Sequence, residues 1–213
     1  MVEAVIWDFG GVLTTSPFEA FNRYEREKGL APDFIRGINA TNPDTNAWAL
    51  FERSECTLDE FDGLFAAESE AKGLRIPGRD IIELLSGDIR PEMVTALKRC
   101  KERVKVGCIT NNVSAGEGAG MARSSEKAAA VAEVMSLFDH VIESSKVGIR
   151  KPDPRIYEMA CEALGVSPAA SVYLDDLGIN LKPARALGMT TIKVLSPEQA
   201  LKELEAAVGF PVA

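Results

Sequence analysis

The sequence predicts an α/β protein, a doubly wound parallel sheet with an all-helical insertion after its first strand. Three observations predict it. Short β-rich apolar runs recur between helical stretches. Those runs lack strict alternation, as strands covered on both faces do. One long interval, residues 16–90, has helical periodicity and no convincing strand run.

The predicted strands are "AVIW" (Ala4 to Trp7), "VKVGCI" (Val104 to Ile109), "HVIES" (His140 to Ser144), "SVYL" (Ser171 to Leu174) and "TTIKVL" (Thr190 to Leu195). Helices separate the last four. "PEMVTALKRC" puts Met93, Val94, Leu97 and Cys100 on one face, and "PRIYEMACEALG" groups Ile156, Met159, Ala160 and Ala163 before stopping at Gly165. "NLKPARALG" places Pro183 early and Gly188 at its end, the asymmetry expected of a helix. "SPEQALKELEAAVG" opens on a capping box of Ser196 and Gln199. Alternating strands and helices of this kind argue for a parallel, Rossmann-like sheet.

Within the insertion, "SPFEAFNRYEREKG" reads as a helix boxed by Ser16 and Glu19, with Phe18, Phe21 and Tyr24 on its face. "TLDEFDGLFAAESEAKG" reads as another, boxed by Thr57 and Glu60, with Leu58, Phe61, Leu64 and Phe65 as its stripe. Trp48 and Phe51 face either the ligand or the insertion's own core, with the core preferred. The expected organisation is a core of residues 1–15 and 91–213 and a helical unit of 16–90. The glycine-rich "NNVSAGEGAG" is expected to be a mobile loop.

Composition narrows the function. The chain has 213 residues, 46% of them hydrophobic, enough to bury a sizeable core. Its net charge of −8 disfavours nucleic acid and anionic membranes as partners, because both need a basic face. No apolar run is long enough to span a bilayer, and the start "MVEAVIWDFGG" lacks the pattern of a signal peptide. The four cysteines, Cys56, Cys100, Cys108 and Cys161, form no CxxC pair and read as reduced, mostly buried thiols of a cytoplasmic protein. With one histidine, His140, and no thiol cluster, a zinc site is not expected.

Ligands of open α/β sheets bind outside the carboxyl ends of the strands. The first strand delivers Asp8, followed by Gly10 and Gly11. The second delivers Thr110 and Asn111, and Lys151 follows the third in "SSKVGIRKPDP". The fourth delivers Asp175 and Asp176, with Asn180 one turn on. Singly, each has an ordinary reading as a cap, a turn former or a solvated surface residue. Together, carboxylates from two strands, one ammonium and a hydroxyl–amide pair suit a hard divalent cation and a phosphate. Glycines beside Asp8 let the backbone approach a phosphoryl group and take φ > 0 freely.

Those four segments resemble the motifs of the haloacid dehalogenase superfamily, whose members are mostly Mg²⁺-dependent phosphatases. The similarity covers nearly the whole chain. It is closest to the phosphatase-like N-terminal domain of soluble epoxide hydrolases and to the related domain fused to some acyl-CoA dehydrogenases. "ESSKVGIRKPDPRIYE", "LDDLGINLKPARALGMTTI" and "ALKELE" carry that likeness. The resemblance implies a Mg²⁺-dependent phosphohydrolase acting on a small phosphorylated metabolite, with residues 16–90 as the family's cap. Asp8 is then the nucleophile that forms an aspartyl-phosphate, and Lys151 bridges nucleophile and phosphate. Thr110, Asn111 and Gly11 bind the phosphate. Asp8, the Gly10 carbonyl and Asp176 hold Mg²⁺, with Asp175 and Asn180 supporting them.

The sequence departs from this pattern at Gly10. Phosphatases of the family carry an acid/base aspartate two positions after the nucleophile. Its loss predicts a preference for good leaving groups. It also leaves open a catalytically weak or silent phosphate-binding module, or a non-phosphoryl hydrolase such as a dehalogenase. Epoxide chemistry is not expected of this segment, which has no G-x-S-x-G elbow.

Overall fold

The computed structural model describes residues 1–113 and 125–213, so the predicted glycine-rich loop falls largely outside the described residues. Five strands form one sheet: β1 (Ala4–Trp7), β2 (Lys105–Thr110), β3 (His140–Glu143), β4 (Ser171–Asp175) and β5 (Thr190–Lys193). Every pairing is parallel and the spatial order is β3-β2-β1-β4-β5. The chain therefore winds outward from β1 in one direction and then returns to continue on its other side, which is the doubly wound topology the sequence predicts. The reversal lies at β1 and β4, and a crevice opens there at the carboxyl ends of the strands.

Period-two alternation divides the sheet between two apolar layers. Val5, Trp7, Val106, Cys108, Val172 and Leu174 pack with α6 (Pro91–Lys101), α7 (Ser125–Met135) and α11 (Pro197–Val208). Ala4, Ile6, Ile109 and Tyr173 pack on the opposite side with α9 (Pro154–Leu164) and α10 (Gly178–Ala186). Both faces of β1 and β4 are fully buried, which is why their sequences are continuously apolar.

Between β1 and α6 lie α1 (Pro17–Lys28), α2 (Phe34–Asn39), α3 (Ala47–Glu52), α4 (Leu58–Glu70) and α5 (Gly78–Ile82). They close around an apolar cluster of their own, centred on Phe21, Phe51, Phe61 and Phe65. The two strands of chain that connect this segment to the sheet run beside each other. Thr15 N–H donates to the Asp88 carbonyl at 2.8 Å and Arg90 N–H to the Leu13 carbonyl at 2.9 Å.

Three local expectations change. Leu64 is 42% exposed, so the buried stripe of α4 is narrower than the periodicity suggests and runs through Phe61 and Phe65. Pro183 is not early in its helix. Helix α10 starts at Gly178, and Pro183 stands inside it. The carbonyl deprived of a partner belongs to Ile179, a residue 56% exposed, where water can replace the missing bond. The Ser16 hydroxyl accepts from Phe18 N–H instead of completing a box with Glu19, whose N–H goes to the Ser16 carbonyl. The Thr57–Glu60 and Ser196–Gln199 boxes both form. Cys100, Cys108 and Cys161 are buried free thiols and Cys56 is half-buried. Among the described residues no helix is long and apolar enough to cross a membrane.

Candidate active site

Sheet topology brings the strand-end residues together. Asp8 leaves β1 next to the end of β4, where its N–H donates to the Leu174 carbonyl at 2.8 Å. Oxygens of Asp8, Asp175 and Asp176 lie within 4.8 Å of one another. Lys151 enters from the segment after α8 (Ser144–Val147) and is 1% exposed. Its ammonium sits 2.7 Å from Asp8 Oδ1 and 2.9 Å from Asp175 Oδ2. Asp8 Oδ1 also accepts from Phe9 N–H at 2.6 Å. Both polar contacts of the Asp8 carboxylate among the described residues fall on Oδ1, and Asp8 lines the cavity.

The two adjacent aspartates are not equivalent. Asp175 is fully buried and saturated with donors: Lys151, the Tyr173 hydroxyl, Leu177 N–H and the Asn180 amide. Asp176 accepts from the Ser16 hydroxyl at 3.3 Å and lines the cavity. Asn180 is therefore the partner of Asp175, although its spacing in the sequence relates it to Asp176. Its carbonyl accepts from the Tyr157 hydroxyl at 2.7 Å, which pins the first turn of α10.

Three carboxylates face one ammonium, and the titration behaviour reflects it. Burial pushes the Asp8 carboxyl well above its ordinary range. Lys151 opposes that shift, while Asp175 and Asp176 add to it. Burial also raises Asp176, to about 6, with the Asp175 charge next in effect. For Lys151, burial disfavours the charged form, but Asp175 and Asp8 outweigh it and hold the ammonium above the usual lysine range. An excess of negative charge on hard oxygens, with Asp176 turned to the cavity, fits a small divalent cation.

The remaining predicted residues divide between wall and scaffold. Thr110 ends β2, is 3% exposed and lines the cavity. Asn111 also reaches the cavity, but its amide grips the Lys151 backbone at both ends. Oδ1 accepts from Lys151 N–H at 2.8 Å and Nδ2 donates to the Lys151 carbonyl at 3.0 Å. Gly10 is on the cavity wall, whereas Gly11 does not line it. Gly11 has φ +78°, and its carbonyl accepts from Arg90 at 3.1 Å.

The cavity, about 590 Å³, lies between these strand ends and helices α1 to α3. The helical segment contributes residues that local sequence does not announce. Glu52 of α3 is buried and binds Arg150 Nε at 2.5 Å, Trp48 Nε1 at 3.0 Å and Asn111 Nδ2 at 3.3 Å. Burial raises its carboxyl and Arg150 opposes the shift. Trp48 and Phe51 part company. Phe51 stacks on Phe61 at 4.6 Å inside the apolar cluster, whereas Trp48 lines the cavity and meets Phe61 edge-on. A signal for Tyr173 does exist in the sequence, since it stands two residues before Asp175 and so on the same face of the strand.

A family model described as haloacid dehalogenase-like hydrolase matches residues 2–188. The chain is 34% identical over 215 residues to mouse "Acyl-CoA dehydrogenase family member 10", covering 98% of this chain and 19% of that protein. It is 31% identical over 220 residues to mouse "Bifunctional epoxide hydrolase 2", covering 97% and 39%. The chain thus spans well under half the length of these two relatives. "Phosphatase MT3486" of Mycobacterium tuberculosis is 35% identical over 100 residues, 46% of this chain and 43% of that one. Among solved structures, a haloacid dehalogenase-family enzyme of Bacteroides thetaiotaomicron in complex with magnesium and inorganic phosphate superposes with TM-score 0.59. It has 19% identity and covers 91% of this chain and 94% of its own. The L-2-haloacid dehalogenase of Xanthobacter autotrophicus superposes with TM-score 0.62 at 20% identity, covering 100% and 85%.

Proposed function

The chain belongs to the haloacid dehalogenase-like hydrolases, and we propose that it is a Mg²⁺-dependent phosphohydrolase acting on a small phosphate monoester through an aspartyl-phosphate. The observation that carries this reading is the asymmetric setting of Asp8. Lys151 and Phe9 N–H hold Oδ1, Oδ2 has no hydrogen-bond partner among the described residues, and Asp8 lines the cavity beside Asp176.

In this reading Asp8 attacks phosphorus and the ester P–O bond breaks. Lys151, held by Asn111 and Asp175, positions Asp8 and offers charge to the phosphoryl oxygens. Thr110 and the backbone around Gly10 receive the phosphate. Asp8, Asp176 and the Gly10 carbonyl would hold Mg²⁺, which when bound neutralises phosphoryl charge. Water then attacks the phosphorus of the aspartyl-phosphate and frees inorganic phosphate. Helices α1 to α5 act as the cap over the cavity, in a division of residues 1–15 and 91–213 from 16–90. Gly10 brings no carboxylic acid to the leaving oxygen, so the first step favours esters whose leaving group tolerates charge. Carboxylates in excess of cations favour this reading over a metal-free dehalogenase.

Aryl phosphate hydrolysis tests it. Asp8→Asn keeps the volume of the side chain and should lower turnover by roughly 10³-fold or more, and excess EDTA should abolish turnover until Mg²⁺ is restored. Undiminished turnover in either experiment refutes the mechanism. Halide release from a 2-haloacid in EDTA would identify the chain as a dehalogenase instead.

A further inference from the structure

The three carboxylates at the strand ends are held unequally. Asp175 is saturated with donors, and Lys151 and Phe9 N–H hold Asp8. Asp176 has one side-chain donor among the described residues, the Ser16 hydroxyl, 3.3 Å from Oδ2. That donor does not come from the sheet. Ser16 stands at the N-terminus of α1, where its hydroxyl also accepts from Phe18 N–H at 3.4 Å. Asp176 lines the cavity and Ser16 does not, so Ser16 acts on the site through Asp176.

The position of Ser16 is itself fixed. Thr15, just before it, donates its N–H to the Asp88 carbonyl at 2.8 Å, and its hydroxyl accepts from Asp88 N–H at 3.0 Å. The two connections between the sheet and the helical segment thus brace each other beside Ser16. Gly11 backs the same carboxylate, since a Cβ built on it would lie 2.3 Å from Asp176 Oδ2. Arg90, in the second connection, holds the Gly11 carbonyl at 3.1 Å. Both connections therefore bear on Asp176, one directly through Ser16 and the other through Arg90 and Gly11.

A carboxylate that ligates a cation depends on outer partners for its orientation, and a carboxylate left to rotate must be ordered when the cation arrives. Building on the Mg²⁺-dependent reading, we propose that Ser16 is a positioning residue of the cation site, whose hydroxyl fixes the Asp176 carboxylate for the cation. A residue of the helical segment then sets the affinity of a site built on the sheet. The competing role for Ser16 is capping of α1 alone.

Mn²⁺ binding, followed by the EPR signal of the free ion with Mg²⁺ as competitor, measures the site without turnover. In Ser16→Ala and in Ser16→Gly, Kd for both ions should rise by about tenfold. Ser16→Thr keeps the hydroxyl on backbone angles (φ −73°, ψ 135°) open to a β-branched residue, and it should bind like the wild type. Alanine is a poor helix cap and glycine a good one. An equal rise in both variants therefore assigns the effect to the lost contact with Asp176. A rise confined to Ser16→Ala assigns it to capping and overturns the proposal. Ser16→Gly against Ser16→Thr carries the test if Ser16→Ala fails to fold. Wild-type affinity in both Ser16→Ala and Ser16→Gly, or a Ser16→Thr variant as weak as they are, also overturns the role of Ser16 and leaves the phosphohydrolase standing. A wild type that binds neither ion, and whose aryl phosphate turnover survives EDTA, defeats the Mg²⁺-dependent reading, and this inference falls with it.

Discussion

A Cβ built on Gly11 lies 2.3 Å from Asp176 Oδ2, while one built on Gly10 meets nothing within 4 Å. The two glycines after Asp8 therefore have different reasons to be there. Gly11 is required by its φ of +78° and by the approach of the Asp176 carboxylate. Gly10 is under neither constraint, so a Cβ fits at the position where the family resemblance places an acid/base aspartate. Gly11→Ala should cost about 1–2 kcal/mol from backbone strain alone, and displacement of Asp176 should weaken Mg²⁺ binding, seen by thermal melting with and without the metal. Gly10→Asp should fold normally and raise hydrolysis of alkyl phosphates over aryl phosphates by about tenfold or more. Equal gains on both, across esters of graded leaving-group pKa, would mean that another residue already supplies the proton.

Lys151 is the one ammonium within hydrogen-bond distance of both Asp8 and Asp175 among the described residues. Lys151→Met leaves those carboxylates buried without a cation, at a cost of about 3–5 kcal/mol near neutral pH. The sign with pH follows from the direction of the Asp8 shift. Burial already raises Asp8, and loss of the opposing Lys151 raises it further. A carboxyl with a raised folded pKa contributes its stability below the unfolded value and loses it as pH rises through the folded value. The variant should therefore recover stability relative to wild type as pH falls from 8 towards 4. Urea unfolding across that range checks this, and a deficit that stays constant with pH would contradict it.

Glu52 and Arg150 tie α3 to the segment that carries Lys151. Arg150 also donates to the Pro43 carbonyl at 2.8 Å, and its side chain is 19% exposed. Breaking this pair should therefore cost less than breaking a fully dry one, about 1–3 kcal/mol for Glu52→Gln. A double-mutant cycle with Arg150→Gln should show coupling of at least about 0.5 kcal/mol. Because Glu52 also holds Trp48 and Asn111, Glu52→Gln should raise KM for aryl phosphates as well. Additive losses and an unchanged KM would show that the contact ties nothing to the site.

Much of the fold was legible because it is encoded locally. The predicted strands agree with the observed ones to within two residues, since residues buried on both sheet faces need continuous apolar runs whatever their neighbours are. Where local reading failed, a tertiary partner had taken over. Ser16 forms no box with Glu19 while its hydroxyl donates to Asp176, 160 residues away. Leu64 fits the helical stripe, yet it stays 42% exposed. The clasp of the Asn111 amide on the Lys151 backbone joins residues 40 apart and has no counterpart in local sequence.

By itself the sequence determined the fold class, the helical insertion and which polar residues stand at the strand ends, because strand burial, helix periodicity and motif spacing are properties of short stretches. Only the tertiary structure decided which of Asp175 and Asp176 is saturated with donors and which faces the cavity. It alone brought Glu52 to Arg150 and Ser16 to Asp176. Those outcomes depend on distances between atoms far apart in the chain, and α2 and α3 are too short for a periodic pattern to reveal where they point.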